Sequence, residues 1–509
     1  MLLKSCLIVN ALFSSLVLAL CVSATVGLPL CHVSWWILVG FAIPTVVANR
    51  KHFRLRLRLR SIMAIMVANV AIVFTVGPNS FRGFFPSRTI DTWVYASIGQ
   101  YLTDYVQGSQ LGLPAIDQFS SFYSETRFGT PSLLGFLSVV FHLNTASALL
   151  LMILISLANG LLGFWLLTSL LGAGDLIALG SGVFFVLFGW TSDAIKIGNL
   201  DNLLFLSLSG TFVARMILIV RGCRSWQALA AFTINLAALF YCYPEGFVLT
   251  SVIMIPFTIR IGLFAWRADR QLRRGLIAVV AATLALAAPY LPTWIAFLSI
   301  QLSGMNAVSR AGGELFPGLL SWNFLPALLG LGQEFPGTAM SLQSVILVVG
   351  AAILCVPGVL SLRSWRIAVG SALSIALGLG VLQGVYLRYD YGLYKIIFLS
   401  SVLWIPAIFV GVHGLIRNLE ANKRFVVGAA SCVFLQSCFL LEKFENRGAN
   451  PYETKKKIKP YEQIQYLGRI TREQPVVLDC KNDFEYRWGL FLPGDSPLGF
   501  WSIGAIWKD

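Results

Sequence analysis

Charge is scarce in this chain. Of 509 residues only 12% are Asp, Glu, Lys or Arg, against 57% hydrophobic, and a soluble core cannot hide that much apolar surface. Metal-ligand spacing is missing as well. Four histidines are present, with no HExxH and no His pair at ligand spacing, and no CxxC occurs, which argues against zinc. The nine cysteines lie mostly within or beside apolar runs, with only Cys480 in the polar tail, so no disulfide framework is implied. There is no Walker loop and no GxGxxG opening a helix, which leaves nucleotide-driven transport and a nucleotide-sugar fold without support. No repeat with paired broken helices is visible, although many secondary transporters have one. No alternating barrel pattern occurs either. The net charge of +15 fits loops facing anionic headgroups, and nothing in its pattern asks for nucleic acid.

What the chain has is long apolar runs. Stretches of about 17 to 25 residues, each able to cross the hydrocarbon core as a helix, recur at 7–28, 33–49, 61–79, 145–171, 176–192, 203–220, 226–242, 246–265, 275–299, 341–361, 367–386, 393–412 and 426–441. The expected fold class is therefore all-α, a polytopic transmembrane bundle of about thirteen spans. Basic loops at 50–60, 221–224, 267–274, 363–366 and 417–424 prefer the cytoplasm. They agree with one another only if 131–143, too short for a span, is an interfacial or re-entrant helix. That choice divides the chain into an N-terminal hairpin with its basic loop (1–60), a transmembrane domain (61–442) and an extracytoplasmic tail (443–509). The segments 80–144, 193–202, 243–245, 300–340 and 387–395 then face outward, and the first is long enough to be a structured loop. Residues 1–25 read either as a span or as a signal peptide, with Lys4 before the apolar run and Val22, Ser23 and Ala24 as a weak cleavage site. The tail holds a basic run (Lys455, Lys456, Lys457, Lys459) and a strand signal at 475–478.

This topology gathers acids on the outer face: Asp91, Asp104, Asp117, Glu125, Asp193, Asp201, Glu245, Glu314, Glu334 and Asp390. In IDTWVYASIGQYLTDY (90–105), a helix would put Asp91, Tyr95 and Ile98 on one face and Tyr101 with Tyr105 on another. Asp91 suits a general base or a cation ligand there, and an N-cap role is compatible with either. The turn LRYDYGLYK (387–395) concentrates Arg388, Asp390 and Lys395 with three tyrosines. A guanidinium and an ammonium would serve a phosphate, while tyrosines with a snorkelling lysine also make an ordinary interfacial belt. FYCYPEG (240–246) leaves Glu245 at a helix start, costly unless paired or hydrated. DAIKIGNLDN (193–202) reads as a solvated turn.

The order of these parts resembles the GT-C superfamily of integral-membrane glycosyltransferases, over residues 61 to 442. The shared pattern is a span, a long outer loop opening with an acid (Asp91), an interfacial helix in that loop, many further spans, and a late outer loop with Arg388 and Lys395. Asp117 stands as a second acid of the first loop. The chain departs from the family in its extra hairpin at 7–49 and in having no adjacent Asp-Asp, Asp-Glu or DxD pair. The resemblance implies transfer of a sugar from a polyprenyl-phosphate donor to a lipid, glycan or protein acceptor, in a bacterial inner membrane with the site facing outward. Asp91 would be the base, Arg388 and Lys395 would hold the departing phosphate, and Glu245 would position the acceptor or a cation. Asp390 and Tyr95 would complete the binding surface. A divalent cation, magnesium or manganese, stays open as a cofactor. So do three other classes: a transporter or flippase for a lipid-linked glycan, a glycan polymerase or ligase, and a non-catalytic scaffold.

Overall fold

The computed structural model of the chain describes residues 2–49, 59–76, 90–105, 128–143, 145–223, 225–268, 270–299, 317–320, 342–417, 476–477 and 498–499. The described residues are almost wholly helical. The one sheet among them pairs Val476–Val477, inside the strand expected at 475–478, in parallel with Leu498–Gly499, which was not expected. A hairpin of α1 (Leu2–Thr25) and α2 (Leu30–Asn49) leads into α3 (Leu59–Val76). Two short helices follow, α4 (Ile90–Asp104) and α5 (Gly129–Phe141). Next come α6 (Thr145–Leu171), α7 (Asp175–Leu187), α8 (Gly189–Lys196), α9 (Leu200–Val220) and α10 (Trp226–Cys242). The rest are α11 (Pro244–Ile253), α12 (Ile255–Ala268), α13 (Arg270–Ala287), α14 (Leu342–Ser361), α15 (Arg366–Val381) and α16 (Asp390–Arg417).

Among the described residues six helices are long and apolar enough to cross a membrane, or eight if each of two bent pairs counts as one span. The chain is a membrane-embedded helical protein, and the described helices stop short of the thirteen runs marked in the sequence. One of those runs, 426–441, lies outside the described residues. Two others are interrupted. The run at 176–192 bends by 41° between α7 and α8, and the run at 246–265 bends by 61° between α11 and α12. Run length did not mark these bends, because apolarity marks a span but says little about its straightness.

Helices α9 and α16 form the centre, with nearly every residue buried. The side chains on α13, α14 and α15 instead expose Ile277, Leu284, Ile353 and Leu377, as a lipid-facing wall requires. Close approach needs small residues. A side-chain carbon on Gly411 of α16 would overlap the Leu354 carbonyl of α14, and one on Gly358 would overlap the Ala407 carbonyl. In the 172–182 segment the glycines divide: Gly182 lies against the Leu161 carbonyl, whereas Gly172 makes the turn with φ 111° and has open space around it.

The segment read as either leader or span, α1, is packed into this bundle, with Val17, Leu20 and Cys21 fully buried. A polar thread ties it there. Asn10 Nδ2 donates to Asn159 Oδ1 at 2.9 Å, Asn235 Nδ2 donates to Ser14 Oγ at 3.0 Å, and Asn159 Nδ2 donates to the Ser207 carbonyl at 2.9 Å. Near the other end of α9, Arg215, 7% exposed, donates from Nη2 to the Leu7 carbonyl at 3.0 Å. In an apolar interior such bonds join α1, α6, α9 and α10.

Candidate functional site

One end of the bundle collects helix starts. The chain leaves α10 at Cys242, passes through extended Tyr243 (φ −155°, ψ 94°) and begins α11 with Pro244, a favoured first helical residue with no N–H to satisfy. Glu245 follows at once. A side-chain carbon on Gly246 would strike the Tyr243 ring, so the tyrosine can fold back over its own helix start only because residue 246 is glycine.

The approach to α16 is equally specific. A π-helical turn at Leu382–Tyr386 leads to Arg388 at φ 46°, and α16 begins at Asp390. The Asp390 Oδ1 accepts the Tyr391 N–H at 2.7 Å. One turn later Lys395 reaches Glu245, and the two form a salt bridge with 8% and 10% of their side chains exposed. The hydroxyl of Tyr243 donates to the same Glu245 Oε2 at 2.7 Å. The Lys395 ammonium lies 4.2 Å from the Tyr391 ring centroid and 5.6 Å from that of Tyr243, inside cation–π range. Among the described contacts its charge thus meets the Glu245 carboxylate and two π faces.

The aromatic lining continues from there. Tyr391 stacks on Tyr394 at 5.8 Å, Tyr394 meets Trp190 of α8 at 4.9 Å, and the Tyr391 hydroxyl donates to Asn199 Oδ1 at 3.3 Å. Asp193 and Asp201 lie within electrostatic reach of the Tyr394 hydroxyl. Asp193, Asn199, Asp201, Asn202, Glu245 and Asp390 are all buried. Lys395 is the one buried lysine among the described residues, so at this end of the bundle buried carboxylates outnumber buried lysines among those residues. Tyr389, in the turn ahead of α16, shows the effect. Burial first, then Glu245 and Asp390, push its phenol up to about 12.

Of the residues singled out in the sequence, the structure brings Glu245, Asp390 and Lys395 together. The turn reading of 387–395 is corrected, since Asp390 and Lys395 belong to a helix and are buried, and only Arg388 is an exposed turn residue. No ion pair of Arg388 is formed among the described residues. The helix proposed for 90–105 is present: Asp91 lies in the first turn of α4, Tyr95 and Ile98 are buried, and Tyr101 stacks on Tyr105 at 5.7 Å. Asp117 lies outside the described residues. The solvated-turn reading of 193–202 is overturned, because Asp193, Asn199, Asp201 and Asn202 are all buried beneath the tyrosines. Its signal was Asp201-Asn202 flanked by leucines, a polar pair opening an apolar run, which resembles a helix cap until its neighbours are known.

Among the described residues no three His, Cys, Asp or Glu side chains group closely enough to hold a metal. No family model matches the chain, and no curated protein matches it.

Proposed function

We propose that the protein is a membrane glycosyltransferase moving a sugar from a polyprenyl-phosphate donor to a lipid, glycan or protein acceptor on the extracytoplasmic side. The observation that carries this reading is the buried Lys395 ammonium, set among tyrosines and carboxylates at one end of an apolar bundle. Such a chamber meets the three parts of the donor. Its isoprenoid chain stays in lipid against the exposed wall, its phosphate takes Lys395 and Arg388, and its sugar ring lies on tyrosine faces with carboxylates to bind its hydroxyls. The likeness of segment order to the GT-C superfamily supports the same reading by analogy.

In the reaction the acceptor oxygen attacks the anomeric carbon. The bond from that carbon to the phosphate oxygen breaks, its electron pair stays on the polyprenyl phosphate, and the hydroxyl proton passes to a carboxylate, which is Asp91 in this reading. Lys395 and Arg388 neutralise the charge that grows on the leaving phosphate. The test is transfer of radiolabelled sugar from a panel of polyprenyl-phosphate sugars by purified protein in lipid. Turnover should fall at least a hundredfold in Asp91→Asn and in Lys395→Met, and about tenfold in Arg388→Ala. Turnover indifferent to all three would overturn the assignment. Adding EDTA to the same assay reads the requirement for magnesium or manganese.

A second reading, translocation of a lipid-linked glycan, draws on the two bent helix pairs and the charges buried at helix starts. Movement of a fluorescent lipid-linked glycan across protein-containing vesicles, without sugar transfer, would favour it.

A further inference from the structure

The phosphate role of Lys395 competes with its pairing to Glu245 for the same ammonium. The ammonium is already committed to the Glu245 Oε2, and the tyrosine rings at 4.2 and 5.6 Å occupy two more of its sides. A buried ammonium needs a counter-ion whether or not a ligand is bound, since an unpaired charge in such surroundings is costly. We infer that Glu245 is a resident stand-in for a ligand phosphate, holding Lys395 until a phosphate monoester or diester enters and then giving it up. The inference rests on the phosphate-binding reading of this chamber and adds to it a specific exchange.

The surroundings of Glu245 are built for that exchange. It sits in the first turn of α11, where backbone N–H groups without helical partners favour an anion. It also accepts the Tyr243 hydroxyl at 2.7 Å, on the same oxygen that holds Lys395. A carboxylate with those two supports keeps hydrogen-bond donors after its ammonium partner turns away. Lys395 stands on a different helix, and its flexible stem allows the ammonium to swing while the Tyr391 face continues to cover it. The outcome is selectivity by charge. A neutral isoprenoid alcohol cannot displace Glu245, whereas a phosphate can, so the pair screens lipids by headgroup before any sugar is recognised.

The experiment is binding of farnesyl phosphate, with farnesol as the uncharged control, to the full chain in nanodiscs. Compared are wild type, Glu245→Gln, Glu245→Asp and Lys395→Met. Glu245→Gln removes the competitor and should bind farnesyl phosphate at least tenfold more tightly than wild type. Glu245→Asp keeps the charge but shortens its reach, and should tighten binding a few-fold. Lys395→Met should weaken binding at least tenfold, and farnesol should not distinguish any of them. Where Glu245→Gln is unstable, the rise in its unfolding temperature on adding farnesyl phosphate replaces affinity, and should exceed the rise seen in wild type. Loss of binding in Lys395→Met without any gain in the two Glu245 variants would overturn the exchange and leave the phosphate site standing. Binding unchanged in Lys395→Met would remove the phosphate site itself.

Discussion

At the scale of single residues the ion pair dominates. Removing one partner leaves a buried charge, so Lys395→Met or Glu245→Gln should each destabilise the protein by about 3–5 kcal/mol, whereas the double variant loses both charges and should recover most of it. Thermal unfolding of the four proteins checks this as a double-mutant cycle. Arg388 gives the complementary case. It is exposed and holds φ 46°, a region that costs non-glycine residues about 1–2 kcal/mol. Arg388→Gly should therefore leave stability within about 1 kcal/mol of wild type while reducing sugar transfer as Arg388→Ala does, which separates its charge from its place in the turn. The likeness of Asp390, Lys395 and Glu245 to site residues was legible in the sequence as charge out of place at helix ends. Their meeting was not, because Lys395 and Glu245 are 150 positions apart and neither segment carries a mark of the other. Lys395 also matched the pattern of a snorkelling interfacial lysine, and only the neighbouring helices decide between that and a buried pair.

At the scale of helices, polar contacts and glycines do what apolar surface cannot do in lipid, where Leu against Leu gains little over Leu against a lipid tail. The bond between Asn10 of α1 and Asn159 of α6 should show a coupling of about 0.6–1.7 kcal/mol in a double-mutant cycle of Asn10→Leu and Asn159→Leu, read by denaturation in detergent. Gly411→Val should be worse than either, because the Leu354 carbonyl occupies the space and backbone cannot be pushed aside cheaply. Helix positions were readable from run length. The breaks between α7 and α8 and between α11 and α12 did carry a mark, Gly189 directly after Phe188 and Pro256 two residues after Met254, but each sits inside an apolar run that run length alone reads as continuous. The glycine pair of α14 and α16 was equally hidden, as Gly358 and Gly411 lie on separate spans.

Over the whole molecule the two ends differ in kind. The buried ion pair lies where α11 and α16 begin, close to the start of α9. At the far end of α9 stand Arg221 and exposed Cys223, about 30 Å away along 21 helical residues. With the other cysteines replaced, Cys223 and a cysteine in place of Arg388 should react with an impermeant maleimide from opposite sides of the membrane. Reaction of both from one side would contradict the crossing of α9. The composition made the membrane setting plain, because it is a sum over many residues and survives local error.

The polar thread also bears on how the chain is made. Asn10 finds its partner 149 residues later, and the Ser14 hydroxyl is reached by Asn235 after another helix hairpin has been synthesised. During translation α1 therefore waits with the Asn10 amide and the Ser14 hydroxyl lacking their later partners, and its assembly completes only when α6 and α10 arrive. A nascent chain halted before residue 235 should still expose α1 to crosslinking by that machinery, and one halted well beyond α10 should not.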